Sequence, residues 1–379
     1  MRTRTSTAAA LASVALAALA GPSVSGAGAS SVARPGHEAV VLRHQLHALI
    51  AAGVPGAVLV VRDGDEQLRL SAGTSDVATG TPMRVENRFK IGSITKTLVA
   101  TVVLELVRDG KLRLGDTVAQ WLPGLVPNGA HITVKQLLRH QSGLFDYFED
   151  PRATEPYLAG DLGFVWAPRA LIELATSHPP NFPPGTAFSY SNTNYLVLGL
   201  IVERATGHSL RHELRRRIFK PLHLGSTRFP TSQRFGPRLA HGYLWSPQNR
   251  RDVTAVSQSL GGAAGGAVSS AGDVARFYRA LLGGRILPQR LLHEMRQTVP
   301  LAPGVGYGLG LIRVASPCGP LWGHDGSFAG YLSDTLSSAG GRHQMVLLFN
   351  QNTFADTAGT PAAQKAAARL IQTAACARL

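Results

Sequence analysis

Residues 98–107, Leu-Val-Ala-Thr-Val-Val-Leu-Glu-Leu-Val, form a largely apolar run. Its length, and the Asp109-Gly110 that closes it, predict a helix rather than a strand. Apolar side chains on nearly every side predict that this helix is buried. Residues 38–51 predict an earlier helix with Val41, Leu42, Leu46 and Ile50 along one stripe. After the turn Gly53-Val54-Pro55-Gly56, residues 57–62 read as a buried strand that turns at Gly64-Asp65 into a second strand at 67–72. From 117 to 259 the pattern is helical and loop-rich. It predicts a short helix at 132–140, a helix at 167–176 with Pro168 in its first turn, and a helix at 194–205 stopped by Gly207. A stiff loop, Pro179-Pro180-Asn181-Phe182-Pro183-Pro184-Gly185, lies between the last two. An amphipathic helix follows at 271–282, then strands at 307–314, 321–324, 330–336 and 344–350. Thr360-Pro361 caps a final helix running to about residue 375. Strands at both ends with helices between predict an α+β fold: one antiparallel sheet flanked by helices, completed by both chain ends, with a helical insert. The expected division is a sheet domain from 38–115 and 261–379 and an all-helical domain at 116–260. No internal repeat is visible.

Hydrophobic residues make up 44% of the 379 and charged residues 16%, as in globular proteins. Arg2 and Arg4 precede an apolar stretch from Ala8 to Ala20 that is too short to span a bilayer comfortably. With Ala27-Gly28-Ala29 as a cleavage site, residues 1–29 are expected to be a signal peptide for the general secretory route. No Cys follows for a lipid anchor and no later segment is long enough to cross a membrane, so a secreted protein is expected. In an exported chain the two cysteines, Cys318 and Cys376, point to a disulfide, with two buried thiols as the alternative. A loop of that size would stabilise the fold by about 4 kcal/mol in the chain-entropy picture.

The formal charge of +15 would suit nucleic acid, but the basic residues are scattered. The one dense run, 211–220, is expected on a helix with Leu210, Leu214 and Ile218 opposite, and so to be solvated. Nucleic acid is therefore not an expected partner; anionic cell-wall polymers are, through charge alone. A monomer is expected. His44/His47 and His208/His212 have helical spacing, but no carboxylate or Cys cluster completes a zinc site. No metal and no cofactor are expected. The absence of Gly-x-Ser-x-Gly argues against an α/β-hydrolase.

Three stretches carry usable chemistry. Ser93 sits at the predicted start of the buried helix and Lys96 one turn on, on the same face. The helix dipole there favours a developing alkoxide, and a buried lysine can lose its proton readily enough to help activate a hydroxyl. The bland reading is an N-cap and a solvated first-turn lysine. In Tyr190-Ser191-Asn192 a phenol beside Lys96 would have a lowered pKa and carry the proton, and the amide of Asn192 would bond both lysine and substrate. The bland reading is a buried Tyr and an Asn cap. In His324-Asp325-Gly326-Ser327 the glycine would let a substrate backbone approach a strand edge. The N–H of Ser327 would join that of Ser93 as an oxyanion hole, and His324 would bring a hydrogen bond or charge. The bland reading is a strand end with a surface His.

In this order, the three stretches resemble the serine β-lactamase and D-Ala-D-Ala peptidase superfamily, whose motifs are Ser-x-x-Lys, Tyr-x-Asn and Lys/His-x-Gly. Leu137-Leu138-Arg139-His140-Gln141-Ser142-Gly143-Leu144 is similar to that family's Leu-Leu-x-His-x-Ser-Gly-Leu segment. Phe182-Pro183-Pro184-Gly185 and Ala264-Gly265-Gly266-Ala267-Val268-Ser269-Ser270 with Asp273 are also typical. The resemblance covers residues 40 to 375. It implies an acyl-enzyme mechanism: Ser93 attacks a carbonyl, and Tyr190, its charge stabilised by Lys96, takes the proton and passes it to the leaving amine. Asn192 holds the acyl group's amide, and His324 assists at the leaving-group side.

The chain most resembles the secreted D-Ala-D-Ala carboxypeptidases with a class C β-lactamase fold, which carry His-x-Gly and a disulfide placed as Cys318 and Cys376 are. It departs from them twice. Asp325 stands where Thr is common, and Gly308-Leu309-Gly310-Leu311 is followed by Ile312 and only then Arg313, where an Arg helps hold the substrate carboxylate. The function implied is a D-Ala-D-Ala carboxypeptidase acting on peptidoglycan peptides and acylated by β-lactams. A class C-like β-lactamase or an esterase on the same scaffold, or a penicillin-binding wall protein without turnover, are the alternatives.

Overall fold

A hairpin from the start of the chain joins a meander from its end to make one sheet. The computed structural model describes residues 36–230, 235, 238–353 and 356–379; the expected signal peptide lies outside the described residues. The hairpin is β1 (Gly56–Asp63) and β2 (Glu66–Asp76), followed by the two-residue β3 (Thr81–Pro82). The later strands are β4 (Val299–Ala302), β5 (Val305–Tyr307), β6 (Ile312–Val314), β7 (Leu321–Phe328), β8 (Tyr331–Ser338) and β9 (His343–Phe349). Their order is β3-β2-β1-β9-β8-β7-β6-β5-β4, and every neighbouring pair is antiparallel. The two ends of the chain meet where β1 lies against β9, from Ala57 opposite Phe349 to Asp63 opposite His343.

The alternation of side chains along a strand divides the core into two layers. Ala57, Leu59 and Val61 of β1 pack on one face with Leu42, Leu46 and Leu49 of α1 (His37–Ala51) and Leu370, Ile371 and Ala374 of α5 (Pro361–Cys376). Val58 and Val60 face the other way. There they meet the layer holding α2 (Ile94–Arg108), α3 (Thr193–Thr206) and α4 (Ala271–Leu282). Every residue of α2 from Ile94 to Leu106 is buried, as its all-round apolar sequence requires. The helical region also contributes two short strands, Tyr243–Trp245 and Arg250–Asp252, to a small sheet with Gln351–Asn352.

Three features differ from the sequence reading. Residues 307–314 form a hairpin of β5 and β6 rather than one strand. The turn between them carries Gly310 at φ +69°, where a Cβ would meet the Ala100 Cβ at 2.6 Å and the Tyr195 hydroxyl at 2.7 Å. Strand β7 continues to Phe328, so His324 to Ser327 lie within it. The basic run is not uniformly solvated: the Arg217 side chain is almost buried, donating to Glu213 at 2.6 Å and Asp109 at 2.7 Å.

Cys318, before β7, is bonded to Cys376 at the end of α5 across a sequence separation of 58. Among the described residues no helix is long and apolar enough to cross a membrane.

Candidate active site

Two glycines let α2 begin against β7. Gly92 has φ +48°, and a Cβ on it would lie 2.5 Å from the Ser327 carbonyl oxygen. A Cβ on Gly326 would lie 2.2 Å from the Ile91 carbonyl oxygen and 3.0 Å from the Ser93 nitrogen. Gly326 is therefore demanded by the protein's own approach to Ser93, not only by a substrate. Ser333 on β8 ties the contact, its hydroxyl reaching the carbonyls of Ile91 at 3.0 Å and Gly326 at 3.1 Å. The Ser93 N–H consequently lies beside the Gly326–Ser327 edge.

Lys96 is fully buried one turn into α2. Its Nζ is 2.9 Å from Ser93 Oγ, 2.8 Å from Asn192 Oδ1 and 2.8 Å from the Ala264 carbonyl oxygen. All three partners can accept from an ammonium; in the neutral amine the two N–H bonds go to the two carbonyl oxygens and the lone pair faces the Ser93 hydroxyl. Burial pulls Lys96 down to about 7, with the carboxyls of Asp146 and Asp325 opposing the shift.

Tyr190 and Ser93 line the same cleft, and the Tyr190 ring centre is 4.8 Å from the Lys96 Nζ. The expected lowering of the phenol is not observed. Burial pushes Tyr190 well above the usual phenol range, only partly opposed by the nearby Ser93 hydroxyl. Tyr190 thus keeps its proton at neutral pH and can act as a conduit, not as a standing phenolate.

Asn192 is held at both ends of its amide: Oδ1 accepts from Lys96, and Nδ2 donates to Asp146 Oδ2 at 2.8 Å. Asp146 is buried, caps the short helix Tyr147–Glu149 by accepting from the Phe148 N–H at 3.1 Å, and is raised to about 6 by that burial. Sequence reasoning missed Asp146. Its only signal was a carboxylate two residues beyond the Ser142-Gly143-Leu144 segment.

His324 is displaced from its expected role. It is buried behind the cleft, with Nε2 3.1 Å from the Tyr307 hydroxyl and Nδ1 2.6 Å from the Asp325 carbonyl oxygen. Strand alternation explains this: His324 turns inward, and Asp325 and Ser327 share the opposite face. Asp325, Gly326 and Ser327 line the cleft, while His324 does not. Ser327 Oγ donates to Asp356 at 2.5 Å.

The cleft has a volume of about 760 Å³ and opens over Ser93, Tyr190 and Asn192. Its walls carry five carboxyl side chains, Asp146, Glu149, Asp325, Asp334 and Asp356. Among the described residues Arg251 is the one guanidinium. Arg313 is not part of the lining. A strongly basic chain thus has an acidic catalytic cleft. Among the described residues one His/carboxylate group could hold an ion: His208, His212 and Glu213, the last supplying the carboxylate not seen in the sequence spacing. Glu213 is engaged by Arg216 and Arg217, and none of the three lines the cleft.

A nucleophile-bearing helix start, a buried lysine bonded to it and a strand edge alongside define a serine hydrolase of the β-lactamase and transpeptidase fold. The Beta-lactamase family model matches residues 41–369, and the chain belongs to that family. It is 32% identical over 303 residues to penicillin-binding protein 4 of Amycolatopsis lactamdurans, covering 74% of this chain and 76% of the relative. It is 32% identical over 314 residues to esterase EstB of Burkholderia gladioli, covering 74% and 75%. A D-stereospecific amidohydrolase from Streptomyces superposes with a TM-score of 0.77 at 38% identity, over 82% of this chain and 94% of that one.

Proposed function

We propose that the chain is an exported serine hydrolase that cleaves amides or short peptides of D-amino acids through an acyl-enzyme. The observation that carries this is the bond between Ser93 Oγ and the buried Lys96 Nζ, with the Tyr190 ring centre 4.8 Å from that Nζ. Neutral Lys96 takes the proton as Ser93 attacks the carbonyl. The oxyanion rests on the N–H groups of Ser93 and Ser327. Tyr190 conducts the proton from Lys96 to the departing amine, and water then releases the acyl group. Asn192 keeps Lys96 aimed at Ser93, with Asp146 fixing the amide.

The acidic lining favours a substrate with a free ammonium group over one recognised by its carboxylate, which supports a D-amino-acid amidase or aminopeptidase reading alongside the Streptomyces amidohydrolase. The D-Ala-D-Ala carboxypeptidase acylated by β-lactams is the second reading, favoured by the likeness to penicillin-binding protein 4. The test is a panel of a D-alanine amide, its N-acetyl analogue, a D-Ala-D-Ala peptide and a p-nitrophenyl ester, with a fluorescent penicillin as label. The free amide should be cleaved more than about tenfold faster than the N-acetyl analogue, because blocking the amine removes the positive charge that an acidic lining attracts. An N-blocked D-Ala-D-Ala peptide cleaved fastest would replace the first reading with the second. Labelling that survives Ser93→Ala would remove both.

A further inference from the structure

The segment from Leu137 to Leu144 has no part in the chemistry so far, yet its His140 is completely buried and adopts φ +57°, a region that residues with side chains seldom enter. Its ring lies flat under that of Tyr190, centres 4.2 Å apart and planes 26° apart. Both ring nitrogens are engaged. Nδ1 receives the Ser191 N–H at 3.1 Å and the Asn194 Nδ2 at 3.1 Å. Asn194 must present Nδ2 there, because its Oδ1 takes the Ser142 hydroxyl at 2.5 Å. Two donors on Nδ1 leave the ring proton on Nε2. Nε2–H then donates to the Tyr307 hydroxyl at 3.1 Å. The Asp325 carbonyl can only accept, so at 2.6 Å it takes the Nδ1–H of a neutral His324, and the bare Nε2 of that ring accepts from the Tyr307 hydroxyl at 3.1 Å. Both ends of the series are set by backbone groups that cannot reverse, the Ser191 N–H at His140 and the Asp325 carbonyl at His324.

We infer that His140, Tyr307 and His324 are positioning residues, a hydrogen-bonded series of single direction that holds Tyr190 in place between Ser93 and strand β7. Tyr190 rests face-on on His140 and meets Tyr307 edge-on at 6.0 Å and 85°. Neither His140 nor His324 can turn without breaking two bonds. The far end of the series is the backbone of the cleft-lining strand, so the phenol and the oxyanion edge are held by one set of bonds. This accounts for His140 and Ser142 in one motif and His324 in another. The inference rests on the reading of Tyr190 as proton conduit.

The series requires the two histidines to be opposite tautomers: His140 protonated on Nε2 and His324 on Nδ1. Long-range ¹H–¹⁵N spectra of the uniformly labelled chain at pH 7.5, assigned with single His variants, read this directly and without reference to activity. The same tautomer in both rings would overturn the inference. Its consequence is tested by Tyr307→Phe, which keeps the ring and deletes both bonds. The variant should lower kcat about tenfold with KM within about twofold, since a small misplacement of a proton-transfer group is enough. In a Tyr190→Phe background Tyr307→Phe should have almost no further effect, because its action passes through the Tyr190 hydroxyl. Equal losses in both backgrounds would mark Tyr307 as a packing residue and overturn the inference. If Tyr190→Phe itself retains the parental rate, the proton-conduit role fails while the tautomer result stands by itself.

Discussion

Two lysines flank the nucleophile, and their surroundings differ. Lys90 lies three residues before Ser93 and Lys96 three after; both are buried, and burial pulls both to about 7. Lys90 donates to the Val256 carbonyl at 2.6 Å and otherwise sits among the rings of Phe235, Phe328 and Tyr331, its Nζ 4.7, 5.4 and 5.7 Å from their centres. Lys96 has a hydroxyl, an amide oxygen and a carbonyl, with Asp146 and Asp325 near enough to oppose its neutralisation. Desolvation alone therefore brings a lysine into the range a general base needs, but only the neighbours make it useful. An aromatic cage satisfies a cation; a serine hydroxyl at 2.9 Å gives a base something to act on.

Exchanging each lysine for an apolar residue breaks the comparison most directly. Lys96→Ala should lower kcat/KM by about 10³ and abolish acylation by labelled penicillin, within the range seen when a positioned acid–base group is lost. A loss below tenfold would make Lys96 structural like Lys90.

The pH profile is the next largest effect. The active form is the neutral amine, so kcat/KM should fall about tenfold per unit as pH drops below about 7 and Lys96 takes up a proton. A rate unchanged between pH 8 and 5 would exclude Lys96 as the base.

Asp146→Asn sharpens the contrast by removing the first of the two carboxyls, Asp146 and Asp325, that oppose the lowering of Lys96, where Lys90 has Asp252. Asp146 raises Lys96, so its loss lets the amine stay neutral to lower pH. The acid limb should move to lower pH, with kcat reduced about tenfold as Asn192 loses its anchor. A limb moving upward would contradict the assignment. The smallest effect is expected for Lys90→Met. Losing one buried hydrogen bond and one desolvated cation nearly cancel, so stability should change by less than about 2 kcal/mol in denaturant titration, with kcat/KM within about threefold.

How much was legible varied with how local the cause was. Helix α4 was read to the residue because Ser270 caps it through its side chain and Gly283 follows it. The Ser93–Lys96 contact follows from helix geometry, and Gly326 was visible as a residue without a side chain. The hairpin at 307–314 was not legible. Gly308-Leu309-Gly310-Leu311 alternates like a strand, and it turns only because Gly310 packs against Ala100 and Tyr195. The inward turn of His324 was half-legible: alternation separates it from Asp325, but which face meets the cleft depends on where α2 docks. Asp146 and Tyr307 carry no motif; Asn192 lies 46 residues from Asp146, and His140 lies 167 residues from Tyr307.

The sequence by itself determined which residues could do chemistry, because nucleophile, base and helix start lie within one turn and short-range geometry leaves little choice. It also determined that two chain ends must share a sheet, since only strands bracket the helical middle. Only the tertiary structure decided the surroundings of each group: the burial that lowers Lys96 and raises Tyr190, and the withdrawal of His324 from the cleft. Those outcomes depend on desolvation and on donors arriving from distant segments, which spacing along the chain does not encode.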